Sequence, residues 1–523
     1  MLRSMSWPGR AGGLRAALLS VLFAAACAPA EPSASQSTGL PSAPIATSSA
    51  GPGTAAGGSP SATAAPTVKP ARWTDCGGGF GCAEIRVPRD YAAPTEGYLN
   101  ISIIRAAATK PAERIGSLLV NPGGPGGSGV EFVRDGLSLF PKELRERFDI
   151  VGFDPRGVNS STAIRCIDNL DGHAALDPSP DDAAELDALV DSAREYADAC
   201  ASRNESTLAY LSTDAVARDL DQLRAAVGDE QLTYLGFSYG TLIGAVYAEA
   251  FPGRIRAMAL DGAIDPSLDL EAFRTGQAKA FEAALTTFLK DCAKRTSCAF
   301  HEDGRTVRAF DTLMASIEKA PIPALRLSDP RMVGPGLAWS AVLGALYSKS
   351  YWPILGTALS QAKDGDGSLM LAISDPFRGR KPNGSYSNMQ DAYVANVCLD
   401  YPAPTDVATF SGWARRLNDS APHFADMLAY NDLICAFWSV PAQGRPHTVS
   451  APDAPPIVIV GTTGDPATPY QWSEALAGQL VSSVLITRQG EGHTGYGESE
   501  CVEDAVDAYL LDLDVPEDGL NCR

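Results

Sequence analysis

The sequence predicts an α/β fold: a mostly parallel central sheet flanked by helices, with a mainly helical lid inserted. Three observations carry that expectation. Short apolar runs alternate with helical periodicity from Tyr98 to Asp265, the pattern of strands joined by crossover helices. A serine between glycines, in Gly236-Phe237-Ser238-Tyr239-Gly240, stands where one such run ends and a helix begins. From about residue 266 to 396 helical segments dominate and strand signals thin out, before two further apolar runs resume the sheet.

The elements follow in order. Arg3, Arg10 and Arg15 precede the apolar run ALLSVLFAAAC. A charged start, a short apolar stretch and small residues mark residues 1–26 as a signal peptide, and its apolar run is too short to span a bilayer as a stable helix. Ala24-Ala25-Ala26-Cys27 resembles a bacterial lipobox, so Cys27 is the candidate lipidation site. Ordinary cleavage after the same alanines is the other reading. Residues 27–70 are almost all Ala, Pro, Ser, Thr and Gly. Such a composition cannot bury enough apolar surface to offset chain entropy, so a disordered tether is expected. The N-terminal part of the core spans 71–265. Within it YLNISIIRAAA, IGSLLVNPGG, FDIVGFDPRGVNSS, QLTYLGFS and IRAMALDGAID read as strands. Helices are expected near 181–204, in STDAVARDLDQLRAAVG, which Ser212, Thr213 or Asp214 can cap and Gly228 ends, and in YGTLIGAVYAEAFP. The lid covers 266–396, with TGQAKAFEAALTTFLKDCAKR and LAWSAVLGALYS as helices. The C-terminal part of the core, 397–523, adds the strands in PPIVIVGTTGDPATP and SVLITRQGEGHTGYG and the closing helix CVEDAVDAYLLD.

The chain has 523 residues and a formal net charge of −20. With no basic patch to offset that charge, nucleic acid is excluded as a partner. Eleven cysteines include Cys27. The other ten are an even number, and in an exported chain they imply five disulfides. They fall into near neighbours: Cys76–Cys82, Cys166–Cys200, Cys292–Cys298, Cys398–Cys435 and Cys501–Cys522. That pairing closes modest loops, although sequence alone leaves the connectivity open. The five histidines are scattered and no Cys-x-x-Cys occurs, so no metal or organic cofactor is expected.

Ser238 sits in a G-x-S-x-G pattern between a strand and a helix, as a nucleophile elbow requires. A serine hydroxyl is a poor nucleophile at neutral pH and needs a base. His493 follows the last strand, in GEGHTGYG, where such a base belongs; His173, His301, His423 and His447 do not. The base needs an orienting carboxylate, and Asp465 follows the penultimate strand. Asp261, after the strand following Ser238, is the rival acid and is expected to satisfy local backbone donors. The order Ser238, Asp465, His493 is that of α/β hydrolases. Developing oxyanion charge needs donors. The glycine-rich LLVNPGGPGGSGVEF follows an early strand, so the candidates are the backbone N–H groups of Gly123, Gly124 and Tyr239.

Together NPGGPGGSG, GFDPRGVNSS, GFSYGT, GDPATP and GEGHTGYG resemble the exported actinobacterial tripeptidyl aminopeptidases, which have the α/β-hydrolase fold and are related to proline iminopeptidases. The resemblance runs from about residue 72 to the end. It implies a serine exopeptidase acting on peptides or proteins with a free amino terminus, and no cofactor. Pro122 stands where the iminopeptidases carry histidine, a departure that touches strict prolyl specificity. The resemblance also singles out Ala395-Asn396-Val397-Cys398-Leu399-Asp400, whose Asp400 could anchor a substrate ammonium or serve a structural role. The expected location is outside the cytoplasm, lipid-anchored or secreted, with membrane contact through the anchor only and a monomer as the expected state. A carboxylesterase or lipase using the same triad is the alternative enzyme. A lipid-anchored binding protein with a dead site is the alternative from another class.

Overall fold

The computed structural model describes residues 68–523. The signal segment, Cys27 and the tether up to residue 67 lie outside the described residues. Among the described residues no helix is long and apolar enough to cross a membrane.

The strands are β1 (Thr74–Asp75), β2 (Phe80–Pro88), β3 (Tyr98–Ala106), β4 (Gly116–Asn121), β5 (Phe148–Phe153), β6 (Leu232–Phe237) and β7 (Ile255–Asp261), then β8 (Ile322–Pro323), β9 (Met332–Val333), β10 (Ile457–Gly464), β11 (Val484–Glu491) and β12 (Asn521–Cys522). All but β8 and β9, which pair with each other, form one sheet in the order β1-β2-β3-β5-β4-β6-β7-β10-β11-β12. From β5 to β12 neighbours run parallel; β1, β2 and β3 add an antiparallel edge. Every residue of β4, β5 and β6 is buried, as a parallel strand covered on both faces must be. Successive side chains point to opposite faces. Leu119, Tyr234, Met258 and Ile459 therefore pack with the helices Thr213–Val227, Tyr239–Ala250 and Tyr470–Gln479. Leu118, Leu235, Ala259 and Val458 pack with Gly129–Gly136 and Glu500–Asp512.

Strand β4 lies between β5 and β6, so the connections leaving β4 and β5 diverge there. Loops beyond the carboxyl ends of such strands part and leave a crevice, the usual ligand site of an open parallel sheet. The glycine-rich loop leaves β4 at Asn121, and Ser238 follows β6.

Two differences from the sequence reading stand out. Strand β2 was not anticipated, although the buried Ile85 and Val87 alternate with the exposed Glu84 and Arg86 as in a half-buried strand. The helical insertion also runs past residue 396. Helices Met389–Asp400, Val407–Leu417 and Ala425–Tyr430 all precede β10. Leu417, Phe424 and Leu428 share one apolar cluster with Phe281, Leu285 and Phe288 of the long helix Leu270–Lys294. Packing, not chain position, places this segment with the lid.

Five disulfides join Cys76–Cys82, Cys166–Cys200, Cys292–Cys298, Cys398–Cys435 and Cys501–Cys522, the near-neighbour pairing.

Candidate active site

Ser238 has φ 55° and ψ −123°, a conformation seldom adopted by a residue with a side chain. The surrounding structure over-determines it. The Ser238 amide donates to Asp261 O at 2.9 Å, Thr241 Oγ1 donates to Ser238 O at 2.5 Å, and Tyr234 Oη donates to Gly240 O at 2.9 Å. A Cβ at Gly236 would stand 2.6 Å from Gly240 O, so the turn closes only around glycine.

His493 follows β11 and is held from three sides. Its backbone amide donates to Tyr347 O at 2.7 Å, the Tyr347 ring meets it edge-on, and Gly262 lies against Cε1. Nδ1 sits 2.9 and 2.8 Å from the two oxygens of Asp465. Nε2 is buried with no partner among the described residues. That leaves it as the nitrogen able to take a proton from a serine hydroxyl. Burial pulls the imidazole pKa down. The charge and hydrogen bond of Asp465, with the Asp261 charge behind, more than offset this and hold it above the ordinary value.

Asp465 is itself fixed by the amides of Ala467 and Thr468 at 2.9 and 2.8 Å and by Thr468 Oγ1 at 3.0 Å. Thr468 Oγ1 also lies 3.3 Å from His493 Nδ1. The sequence reading did not single out Thr468; Asp-x-x-Thr is the only signal it offered. Asp261 instead accepts from the amides of Gly495 and Tyr496 at 2.9 and 2.7 Å, so it anchors the loop that carries His493. Burial pushes its carboxyl up to about 6. Of the other histidines, His173 bonds Ser192, His301 its neighbour Cys292 O, His423 Glu282 and His447 Glu249.

The glycine loop meets the elbow directly: a Cβ at Gly123 would lie 2.5 Å from Phe237 O and 2.7 Å from Ser238 Cβ. Here one expected donor drops out. The Gly123 amide already donates to Asn121 Oδ1 at 2.9 Å. The amides of Gly124 and Tyr239 find no acceptor among the described residues; Tyr239 opens its helix, where amides lack an intrahelical partner. These two are the geometrically free candidates. Asn121, fully buried at the end of β4, was missed because its role depends on a loop bending back two residues later.

A second bracket comes from GFDPRGVNSS. Asp154 accepts from Ser128 Oγ at 2.5 Å and from Val130 N, Asn159 Nδ2 and Ser160 N, fixing the end of the glycine loop. Arg156 is buried against Asp219. Asn388 Nδ2 donates to Gly157 O and Ile164 O at 2.7 and 2.9 Å, which ties the adjoining lid helix to the same loop.

A family described as TAP-like protein matches residues 421–522. Over 480 residues the chain is 39% identical to "Serine protease Hip1" of Mycobacterium tuberculosis, covering 87% of this chain and 91% of that protein. The chain belongs to the tripeptidyl-aminopeptidase-like family of α/β hydrolases. This family member is also 33% identical to "Tripeptidyl aminopeptidase" of Streptomyces lividans, over 84% of each chain. It is 37% identical to "Carboxylesterase B" of Mycobacterium tuberculosis, over 84% of this chain and 86% of that one. As a tripeptidyl-aminopeptidase-like protein it is a serine hydrolase of the peptidase type.

Proposed function

We propose that this protein is an extracytoplasmic serine exopeptidase that cleaves near free amino termini and releases tripeptides. Ser238 attacks the scissile carbonyl. His493 Nε2 takes its proton and returns it to the leaving amine, while Asp465 holds Nδ1–H and balances the imidazolium charge. The amides of Gly124 and Tyr239 stabilise the oxyanion. Water then enters, deprotonated by the same histidine, and hydrolyses the acyl-enzyme.

The observation that carries this reading is the Nδ1–Asp465 clamp at 2.8 and 2.9 Å, with a buried and unpartnered Nε2 on the opposite side of the ring. The two relatives named as peptidases support amide bonds as the substrate. Export is supported by the arginine-led apolar start and by five disulfides, which persist in oxidising compartments. Attachment through Cys27 rests on the lipobox-like alanines alone.

The carboxylesterase relative favours a second reading, ester hydrolysis by the same residues. Purified protein offered free and N-acetylated tripeptide amides, single-residue amides and a simple ester separates the two. The expected result is fast release from the free tripeptide amide and at least about 100-fold slower release from its acetylated form. Ser238→Ala should lower turnover by about 10⁴-fold or more and abolish fluorophosphonate labelling without changing the unfolding midpoint. Undiminished hydrolysis in that variant sinks the assignment. Equal turnover of free and acetylated peptides, with faster ester cleavage, favours the esterase.

A further inference from the structure

Most buried carboxylates close to this site have a cation or several amides for company. Asp219 has Arg156, Asp432 has Arg274 at 2.5 Å, Asp465 has His493, and Asp261 has two backbone amides. Two on the lid helix Met389–Asp400 have neither: Asp391, which is buried and held by the Tyr196 hydroxyl and the Cys166 amide, and Asp400, which alone of the two keeps some exposure. Asp400 closes the helix, and its oxygens accept only from Thr213, from the amide at 2.8 Å and the hydroxyl at 2.5 Å. Half of its acceptor capacity is unused, and no Lys, Arg or His pairs with it among the described residues. The residue remains partly accessible.

Its place in the fold matters more than its solitude. Thr213 Oγ1, which it holds, lies 2.5 Å from the hydroxyl of Tyr239, the residue after the nucleophile. The other end of the same helix touches the oxyanion loop. A Cβ at Gly126 would strike Met389 O and lie 3.1 Å from the Tyr393 amide. The helix therefore starts at the oxyanion loop and ends at Asp400. At 1.5 Å rise per residue, Tyr393 and Asp400 are about 10 Å apart along it. Three residues of extended peptide also span about 10 Å.

We infer that Asp400 is the receptor for the substrate's terminal ammonium, and that the lid helix Met389–Asp400 is the ruler that sets the release of three residues. This rests on the aminopeptidase reading above. A peptide lying along the helix, with its third carbonyl facing the Gly124 and Tyr239 amides, brings its ammonium to the free side of this carboxylate. A desolvated carboxylate without a cation gains strongly from an incoming one. Burial already holds Asp400 up at about 7, as expected where no resident cation stabilises its charge.

The test compares wild type and Asp400→Asn on free and N-acetylated tripeptide amides, with fluorophosphonate labelling as a check on the catalytic centre. Asparagine keeps an acceptor for the Thr213 amide but not the charge. The expected result is a loss of roughly 100-fold in kcat/KM on the free tripeptide. Acetylated turnover and the labelling rate should move by less than about threefold. An equal loss on both substrates makes Asp400 a helix cap only and overturns the inference, as does a variant that keeps the wild-type preference for the free amine. A wild-type enzyme indifferent to acetylation removes the aminopeptidase reading, and this inference with it. A length series on wild type needs no variant. Tripeptide amides should exceed single-residue and dipeptide amides by tenfold or more, and equal rates along the series overturn the ruler.

Discussion

At the scale of single residues, the site is a set of side chains held by backbone amides. Asp465 takes the Ala467 and Thr468 amides, Asp261 those of Gly495 and Tyr496, and Asn121 that of Gly123. Two predictions belong here. In the proposed mechanism His493 works as base only when neutral, and the net effect of Asp465 and Asp261 raises its pKa. On an acetylated substrate, where no ammonium is involved, the acid limb of kcat/KM should therefore lie above about 6.5. Asp465→Asn should move that limb down and cut kcat by about 10⁴-fold; a limb at or below 6.5 in the wild type contradicts this account of the base. Gly126→Ala drives a methyl into Met389 O. It should lower kcat by 10²-fold or more with a smaller change in KM, because the oxyanion loop must shift; wild-type kinetics in this variant would show the close approach to be relieved elsewhere.

Among the elements, the lid helix Met389–Asp400 does the most. Its N-terminal turn forms a wall of the oxyanion loop, Asn388 ties it to the loop after β5, and the Cys398–Cys435 disulfide fastens its last turn to the segment carrying Asp432. The bridge closes a loop of sequence separation 37. Replacing both cysteines by serine should cost about 2–4 kcal/mol of stability, read from the denaturant midpoint. It should also lower kcat/KM on free tripeptides more than on acetylated ones. Equal losses would mean that the bridge stabilises the fold without positioning Asp400. Helix capping gives a similar lesson. Ser212 occupies the N-cap of Thr213–Val227, as expected, but its side chain does not cap; the Thr213 amide goes to Asp400, 187 residues away.

For the molecule as a whole, the buried charges set how stability depends on pH. Burial pushes Asp400 and Asp507 up to about 7. A carboxyl whose folded pKa exceeds its unfolded value gains stability as pH falls through the folded value. Hydrogen bonding to Glu282 and Glu249 raises His423 and His447, and Asp465 raises His493 despite its burial. A raised histidine likewise adds stability below its folded pKa and loses it as pH rises. All these groups point the same way between pH 8 and about 6.5. Their direction agrees with the relief of self-repulsion in a chain of net charge −20. His173, lowered by burial to about 4, opposes them only below about 6.5, where it protonates in the unfolded chain. The thermal midpoint should therefore be higher at pH 6.5 than at pH 8; the reverse order would mean that groups other than these govern the fold.

The sequence by itself determined the class of fold, the elbow at Ser238, the loop positions of Asp465 and His493, and a near-neighbour reading of the cysteines. These features are written in local patterns: apolar runs of strand length, turn glycines, and polar residues just beyond strand ends. Tertiary structure decided what depends on chain segments meeting from far apart. It withdrew the Gly123 amide from the oxyanion set, gave Asp261 to the His493 loop, and carried the lid past residue 396 because Leu417, Phe424 and Leu428 pack with Phe281. It also set Asp400 on Thr213, which in turn bonds Tyr239, with no cation paired to the carboxylate among the described residues. A hydrogen-bond partner across 187 residues leaves no periodicity in the sequence, since only packing brings the two ends together.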